Sequence, residues 1–218
     1  MARIVFDLDG TLIDSAQDIL ELANRVLAED GKGPLSLKHV NDFMGHGTPS
    51  FVESMRQAVG LPDSEQERIL ARYRVLYDDA VKLTDLYPGA RDALGRLSAE
   101  GHVLGICTNK PTRPCMSVLR HLDLGSTFAE VICGDSLKVH KPDPAPLFAT
   151  FNAMGEGEQI YVGDSEVDAE TARRAGVPFL LFTEGYRKSP IEEIPNTATF
   201  SHFDELPGLV ARTLAAVS

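Results

Sequence analysis

Two acids, Asp7 and Asp9, stand two positions apart directly after the apolar run 4–6, in Asp7-Leu8-Asp9-Gly10-Thr11. Side chains at that spacing on a strand end start out on one face, which brings two carboxylates together. Carboxylates held that close repel, and one takes up a proton unless a cation sits between them. Two more acids, Asp164 and Asp168 in Gly163-Asp164-Ser165-Glu166-Val167-Asp168, follow the apolar run 159–162. Thr108, Asn109 and Lys110 follow the run 103–107, and Lys141 stands in His140-Lys141-Pro142-Asp143-Pro144. A few carboxylates completed by water and substrate oxygens suit Mg2+, which keeps several waters and avoids an all-protein cage. No His or Cys cluster has the spacing of a zinc site.

Each piece alone has an ordinary structural explanation. Asp-x-Asp-Gly makes turns, Gly163-Asp164-Ser165 makes a helix N-cap, Thr108 caps a helix, and Lys141 before Pro142 is a solvated loop lysine. Their joint occurrence, each beside a strand end, argues for a site, because ligands of parallel α/β sheets bind where the strands' carboxyl ends open.

The elements that must position these residues can be read from periodicity. Residues 15–84 contain no convincing strand, and apolar residues recur at helical spacing over 18–27, 36–43, 48–59 and 63–81. Ser36 and Thr48 are expected N-caps, and Gly31, Gly45, Gly47 and Gly60-Leu61-Pro62 mark the breaks. From Tyr87-Pro88-Gly89 onward helices alternate with strands. Helices are expected over 90–100, 113–122, 145–154 and 167–175 and from Glu205, and strands over 103–107, 130–133, 159–162, 179–182 and 198–200. Short apolar strands alternating with helices imply a parallel sheet covered on both faces. The expected fold is therefore α/β and Rossmann-like, with an inserted all-helical domain. Residues 1–14 and 86–218 form the α/β core, and residues 15–85 form the helical cap.

The chain has 218 residues, 43% hydrophobic and 24% charged, an ordinary globular balance with room for a real core. No apolar stretch has the length of a membrane span. The N-terminal apolar run meets acids at once, unlike a secretory signal, so a cytoplasmic protein is expected. Lys plus Arg is 21 against 32 Asp plus Glu, a formal net charge of −11. That field disfavours nucleic acid as a partner but not a small anion held by local cations. Three cysteines without a C-x-x-C pair fit reduced thiols. Cys107, beside Thr108, lacks an obvious partner base and is taken as a buried core thiol. A monomer and a homodimer are both compatible with the sequence.

In its motifs the chain resembles the haloacid dehalogenase-like superfamily of phosphohydrolases. The likeness consists of DLDGT at 7–11, Thr108-Asn109, the lysine of KPDP at Lys141, and GDSEVD at 163–168, in the family's order and across most of the chain. The helical block corresponds to the family's cap. The resemblance implies that Asp7 is the nucleophile that forms an aspartyl phosphate, and that Asp9 serves as general acid and then general base. It implies Mg2+ held by the Asp7 carboxylate, the Asp9 backbone carbonyl and the Asp164 carboxylate. Thr108 and Lys141 would hold phosphoryl oxygens, helped by backbone N–H groups near Asn109 and Gly10. Asp168 would orient a metal-bound water or Lys141 rather than bind metal. Members that displace halide lack the second acid, so Asp9 argues for phosphoryl chemistry, and the membrane-pump branch is excluded by the missing spans.

Among helical-cap members the likeness is strongest to phosphoglycolate phosphatases. It rests on DLDGTLIDS, Gly45-His46-Gly47, YPGA at 87–90, TNKP at 108–111 and KPDPAPL at 141–147. A small phosphorylated metabolite, 2-phosphoglycolate first, is the expected substrate. Phosphatases of pyrophosphate, sugar phosphates or nucleotides share these features, and a phosphosugar mutase would use the same Asp7 and Asp9. A non-catalytic phosphate-binding or regulatory module is a third reading, against which the complete set of core residues argues. In the cap, His46 and Arg56 are candidates to meet a second anionic group on the substrate.

Overall fold

Strand β1 (Ala2–Phe6) is buried along its whole length, as a strand covered on both faces must be. The computed structural model describes residues 1–217. After β1 comes a two-residue strand, β2 (Ile13–Asp14), and then four helices: α1 (Ala16–Ala28), α2 (Leu37–Phe43), α3 (Thr48–Ala58) and α4 (Gln66–Tyr77). A second short strand, β3 (Asp85–Leu86), ends this block. The alternating part follows: α5 (Ala90–Ala99), β4 (Val103–Cys107), α6 (Thr112–His121), β5 (Glu130–Ile132), α7 (Ala145–Ala153) and β6 (Glu158–Gly163). It closes with α8 (Glu166–Ala175), β7 (Phe179–Phe182), β8 (Ala198–Phe200) and α9 (Leu206–Val217).

Six strands form one parallel sheet in the order β5-β4-β1-β6-β7-β8. Alternation along each strand sends side chains to opposite faces. Ile4, Phe6, Leu104, Ile106, Ile160 and Val162 pack with α5, α6 and α9 on one face. Val5, Cys107, Tyr161 and Leu181 pack with α7 and α8 on the other. The expected Rossmann-like fold is borne out. From β1 the chain builds outward through β4 to β5, then crosses back to lay β6 on the other side of β1. The loops after β1 and β6 diverge there, which opens a crevice at the strands' carboxyl ends.

Helices α1–α4 enclose a separate apolar cluster that includes Ile19, Val26, Phe51, Met55, Ile69 and Tyr73. Both chain crossings between this block and the sheet are stitched side by side, because β2 pairs antiparallel with β3, Ile13 opposite Leu86 and Asp14 opposite Asp85. Two-residue strands leave no periodic trace, and the sequence reading did not find them.

Other differences are local. Ser36 stands at the N-cap of α2, as expected, with its N–H donating to His39 Nδ1 at 3.1 Å. Thr48, expected as an N-cap, is the first residue of α3, and Gly47 takes the cap position at φ 83°, a conformation a β-branched residue resists. The helix expected over 63–81 opens as a 3-10 turn (Asp63–Glu65) and ends at Tyr77. Asp78 and Asp79 follow, and negative side chains are unfavourable at the negative end of a helix dipole.

Candidate active site

Asp7 continues the end of β1, its N–H donating to the Val162 carbonyl at 2.9 Å. The next residues coil into a tight turn in which the amides of Thr11, Leu12 and Ile13 all donate to the Leu8 carbonyl. Gly10 sits at φ +88°, and a Cβ there would lie 2.5 Å from Asp164 Oδ2, so glycine lets this turn press against the end of β6. The Gly10 N–H donates to the Ile13 carbonyl at 2.9 Å. It therefore serves the turn, not the phosphoryl group for which the resemblance proposed it.

Lys141 arrives on the loop after β5 and is held by Asn109. The Asn109 side chain accepts the Lys141 N–H at 3.0 Å and donates to the Lys141 carbonyl at 3.0 Å and the Gly45 carbonyl at 2.9 Å. Asn109 is thus a clip between the loop after β4, the Lys141 segment and the loop before α3. Its side chain is committed to backbone groups and is not available to hold phosphate.

The Lys141 ammonium lies 2.8 Å from Asp7 Oδ1 and 2.7 Å from Asp168 Oδ1, and it donates to the Tyr161 hydroxyl at 2.9 Å. Tyr161 in turn donates to Asp168 Oδ1 at 2.8 Å. The other Asp168 oxygen accepts from the Ser165 hydroxyl at 2.6 Å and from the Ser165 N–H at 3.2 Å, closing a capping box on α8. Burial works to lower the Lys141 pKa, but Asp168 and Asp7 outweigh it and the net direction is upward. Burial would raise Asp168, and Lys141 with its hydrogen bonds turns the net shift downward. Lys141 and Asp168 are therefore a charged pair inside the fold.

Asp164 accepts from Thr11 Oγ1 at 2.7 Å and from the Tyr186 N–H at 2.6 Å. Burial, then Asp168 and Asp7, push its carboxyl well above the usual range. Asp7 is raised to about 7, by burial first and Asp168 next, against the pull of Lys141. The arrangement fits a hard divalent cation. Carboxylate oxygens of Asp7, Asp164 and Asp168 lie within 4.8 Å of one another, and Asp7 Oδ1 is buried without an aligned hydrogen bond. The Asp168 oxygens are crowded by the Lys141 ammonium, Tyr161 and Ser165, whereas each Asp164 oxygen accepts one neutral hydrogen bond and keeps a lone pair, so Asp7 and Asp164 are the two acids with most capacity for a metal.

Asp9 turns toward the helical block. Its Oδ1 accepts from Ser15 Oγ at 2.6 Å and from Lys110 Nζ at 2.9 Å, and its Oδ2 lies 3.2 Å from the same ammonium. Thr108 is buried at the end of β4, and its hydroxyl accepts the Lys110 N–H at 3.2 Å, leaving its own proton for a ligand.

These groups surround a cavity of about 420 Å³ roofed by the helical block, with Ile19, Phe51, Tyr73 and Tyr77 supplying apolar and phenolic walls. His46 stands exposed at the mouth, and burial, Lys188 and His140 lower its pKa. Arg56 does not reach the cavity. Its buried guanidinium binds Gln66 Oε1, the Leu61 carbonyl and Asp63 Oδ1 at 3.1, 2.7 and 2.6 Å. Arg56 thus ties α3 to the start of α4, and its sequence spacing gave no sign of that. Cys107, the last residue of β4, is buried in the cluster under α7, and burial pushes its thiol up to about 12.

Sequence reading missed the roles of Lys110, Tyr77, Tyr161 and Tyr186. Lys110 had a usable signal, its position beside Thr108 and Asn109. Tyr186 had none, yet its hydroxyl accepts the Ser15 and Ala16 amides at 2.9 and 3.2 Å and donates to Asp14 Oδ1 at 2.7 Å. It anchors the start of α1 over Asp164.

Paired acids and a buried ammonium converging on the switch point of a parallel sheet, under a helical roof, make the molecule a hydrolase of the α/β class with a covered site. The chain belongs to the haloacid dehalogenase-like hydrolase family, whose model matches residues 4–182. It is 47% identical over 218 residues to a phosphoglycolate phosphatase of Cereibacter sphaeroides, covering 99% of this chain and all of the relative. A phosphoglycolate phosphatase of Rhodobacter capsulatus is 41% identical, over 95% of each chain. Among solved structures, a predicted phosphoglycolate phosphatase from Haemophilus somnus superposes with a TM-score of 0.90 at 27% identity, covering 96% of this chain and 98% of that one. The expected superfamily and enzyme class are borne out. No helix among the described residues is long and apolar enough to cross a membrane.

Proposed function

We propose that this chain is a Mg2+-dependent phosphatase of 2-phosphoglycolate, with residues 1–14 and 86–218 as the catalytic core and 15–85 as the cap that covers it. The observation that carries this reading is the setting of Asp7. Its buried carboxyl has Lys141 Nζ at 2.8 Å on one side and the Asp164 carboxylate within metal-sharing distance on the other. Full-length likeness to enzymes of that name supports the substrate.

In this mechanism an Asp7 oxygen attacks phosphorus, and the bond from phosphorus to the leaving oxygen breaks. Asp9 gives its proton to that oxygen, which departs as the alcohol of glycolate. Water then attacks the aspartyl phosphate, Asp9 takes the water's proton, and the bond from phosphorus to the Asp7 oxygen breaks to release inorganic phosphate. Lys141 and the Thr108 hydroxyl hold phosphoryl oxygens, and Asp168 keeps Lys141 aimed and charged. Ser15 and Lys110 keep the Asp9 carboxyl beside the leaving group. Mg2+, held by the Asp7 and Asp164 carboxylates and the Asp9 carbonyl, supplies positive charge that screens the anionic nucleophile from the anionic phosphate. The net charge of −11 and three buried free thiols fit a cytoplasmic enzyme of small metabolites, with no nucleic-acid partner.

Phosphate release is measured from 2-phosphoglycolate, pyrophosphate, sugar phosphates and nucleotides, with Mg2+ and with EDTA, beside Asp7→Asn. Metal-dependent release that is highest for 2-phosphoglycolate and lost in Asp7→Asn is expected. Folded protein with no release from any compound refutes the proposal, and a different highest kcat/KM replaces the substrate.

A further inference from the structure

The cavity holds two buried ammonium groups, and they are not equivalent. Lys141 is neutralised by Asp7 and Asp168 at the phosphoryl end. Lys110, with a side chain only 2% exposed, faces Asp9 and the Tyr77 hydroxyl, which lies 3.1 Å from its Nζ, and its ammonium also stands 4.8 Å from the Tyr77 ring centroid. An ammonium has three protons and a phenol one. Asp9, approached at both oxygens from one side, and Tyr77 account for two directions from Lys110, so among the described residues one N–H is open to a ligand and the Tyr77 O–H has no acceptor. Two donors in contact, one from the loop after β4 and one from the last residue of α4, thus face the cavity with protons to give.

Their position relative to Asp9 defines what they can touch. A leaving oxygen that takes its proton from Asp9 must come within about 3 Å of that carboxyl. Lys110 Nζ is 2.9 and 3.2 Å from the two Asp9 oxygens. The leaving oxygen then lies at most about 6 Å from Nζ, the length of two hydrogen bonds end to end. A carboxylate on the carbon next to that oxygen, turned toward the core loop, spans the remaining gap to Lys110. The other cationic or polar groups of this region are placed differently: Arg56 is outside the cavity, and Lys188 and His46 stand exposed at its mouth, where water competes for an anion, whereas Lys110 is buried beside Asp9.

We propose that Lys110 Nζ and the Tyr77 hydroxyl together form a specificity subsite for a carboxylate that the leaving group carries on the carbon bonded to the oxygen that Asp9 protonates. This rests on the phosphatase reading above and deepens it. The subsite is complete only when α4 stands over the sheet, so the substrate's own carboxylate bridges the helical block to the core.

The test compares 2-phosphoglycolate with 2-phosphoglycolamide, which keeps the leaving group's shape and removes its charge. It uses the wild type, Tyr77→Phe and Lys110→Met, with Mg2+ present. The wild type is expected to prefer the acid over the amide in kcat/KM by about 10- to 100-fold, as a site built around a charged hydrogen bond does. Tyr77→Phe, a near-isosteric change, lowers kcat/KM for the acid several-fold, mainly through KM, and lowers it less for the amide, whose carbonyl is a weaker acceptor, so the acid-to-amide ratio falls. Lys110→Met abolishes the preference. Because Lys110 also steadies Asp9, its loss lowers kcat for both compounds, and the ratio is the deciding readout. A wild type that does not discriminate, or variants that lose both activities in parallel with the ratio kept, would show that Lys110 only positions Asp9 and overturn the subsite. Release from other phosphoesters but not from 2-phosphoglycolate overturns the subsite and leaves the phosphatase chemistry standing. No release from any compound overturns both.

Discussion

Lys141 Nζ lies 2.7 Å from Asp168 Oδ1, with the two side chains 3% and 1% exposed. A buried charge with its partner removed is strongly destabilising. Asp168→Ala leaves Lys141 with Asp7 alone and strips the N-terminal capping box from α8. The expected loss is about 3–5 kcal/mol in urea unfolding, with kcat reduced more than KM because Lys141 is no longer aimed. A urea midpoint equal to wild type would contradict the pairing.

The Asn109 clip reaches across the molecule, from Lys141 to Gly45. Asn109→Ala removes three hydrogen bonds and leaves buried backbone groups unsatisfied, at a cost of about 2–4 kcal/mol. Hydrogen exchange locates the effect, since the Lys141 amide loses its acceptor and exchanges faster. Unchanged protection at Lys141 would show that the clip carries no energy.

Gly10→Ala tests the close packing of the turn on Asp164. The new Cβ would meet Asp164 Oδ2 at 2.5 Å and Tyr186 Cδ2 at 2.6 Å, on a backbone at φ +88°. Strain of about 1–3 kcal/mol is expected from the backbone alone. Because Asp164 must shift, half-activation should also need more Mg2+. A variant with wild-type Tm and metal response would disprove the tight approach.

His46 gives a pH dependence with a definite sign. Burial, Lys188 and His140 lower its pKa below the ordinary 6.5. Between 6.5 and the lower folded value the unfolded chain binds more protons than the folded one, so this residue makes stability fall as pH drops through that window. At neutral pH His46 is uncharged, a hydrogen-bonding group at the mouth and not a cation for an anionic substrate. The NMR titration of its Hε1 should have a midpoint below 6.5, and His46→Gln should remove part of the acid-side loss. A midpoint at or above 6.5 would reverse the argument.

Much of the site was legible because its parts are local. Asp7 and Asp9 follow β1, Thr108 follows β4, and Asp164 with Asp168 spans the turn into α8, so strand-end spacing was enough to find them, although Asp9 turns to Ser15 and Lys110 while Asp7 groups with Asp164 and Asp168. The alternation of apolar strands and helices likewise carried the sheet, since each element's pattern reports its own burial. What escaped was shorter than a period or depended on neighbours distant in sequence. Strands β2 and β3 have two residues each and exist only through each other. Arg56 has the type and setting of a substrate ligand, and only packing shows that Gln66, Leu61 and Asp63 already satisfy it.

The sequence by itself determined the parallel α/β core, the helical insertion and the acids and lysine at the strand ends, because periodicity and motif spacing are properties of contiguous segments. Tertiary structure alone decided the partnerships. Lys141 went to Asp168, Asn109 to the backbone of two loops, Lys110 to Asp9 and Tyr77, and Tyr186 to the start of α1. Which buried polar group meets which is set by the register between elements up to about 170 residues apart, and a buried polar group must find some partner once water is excluded.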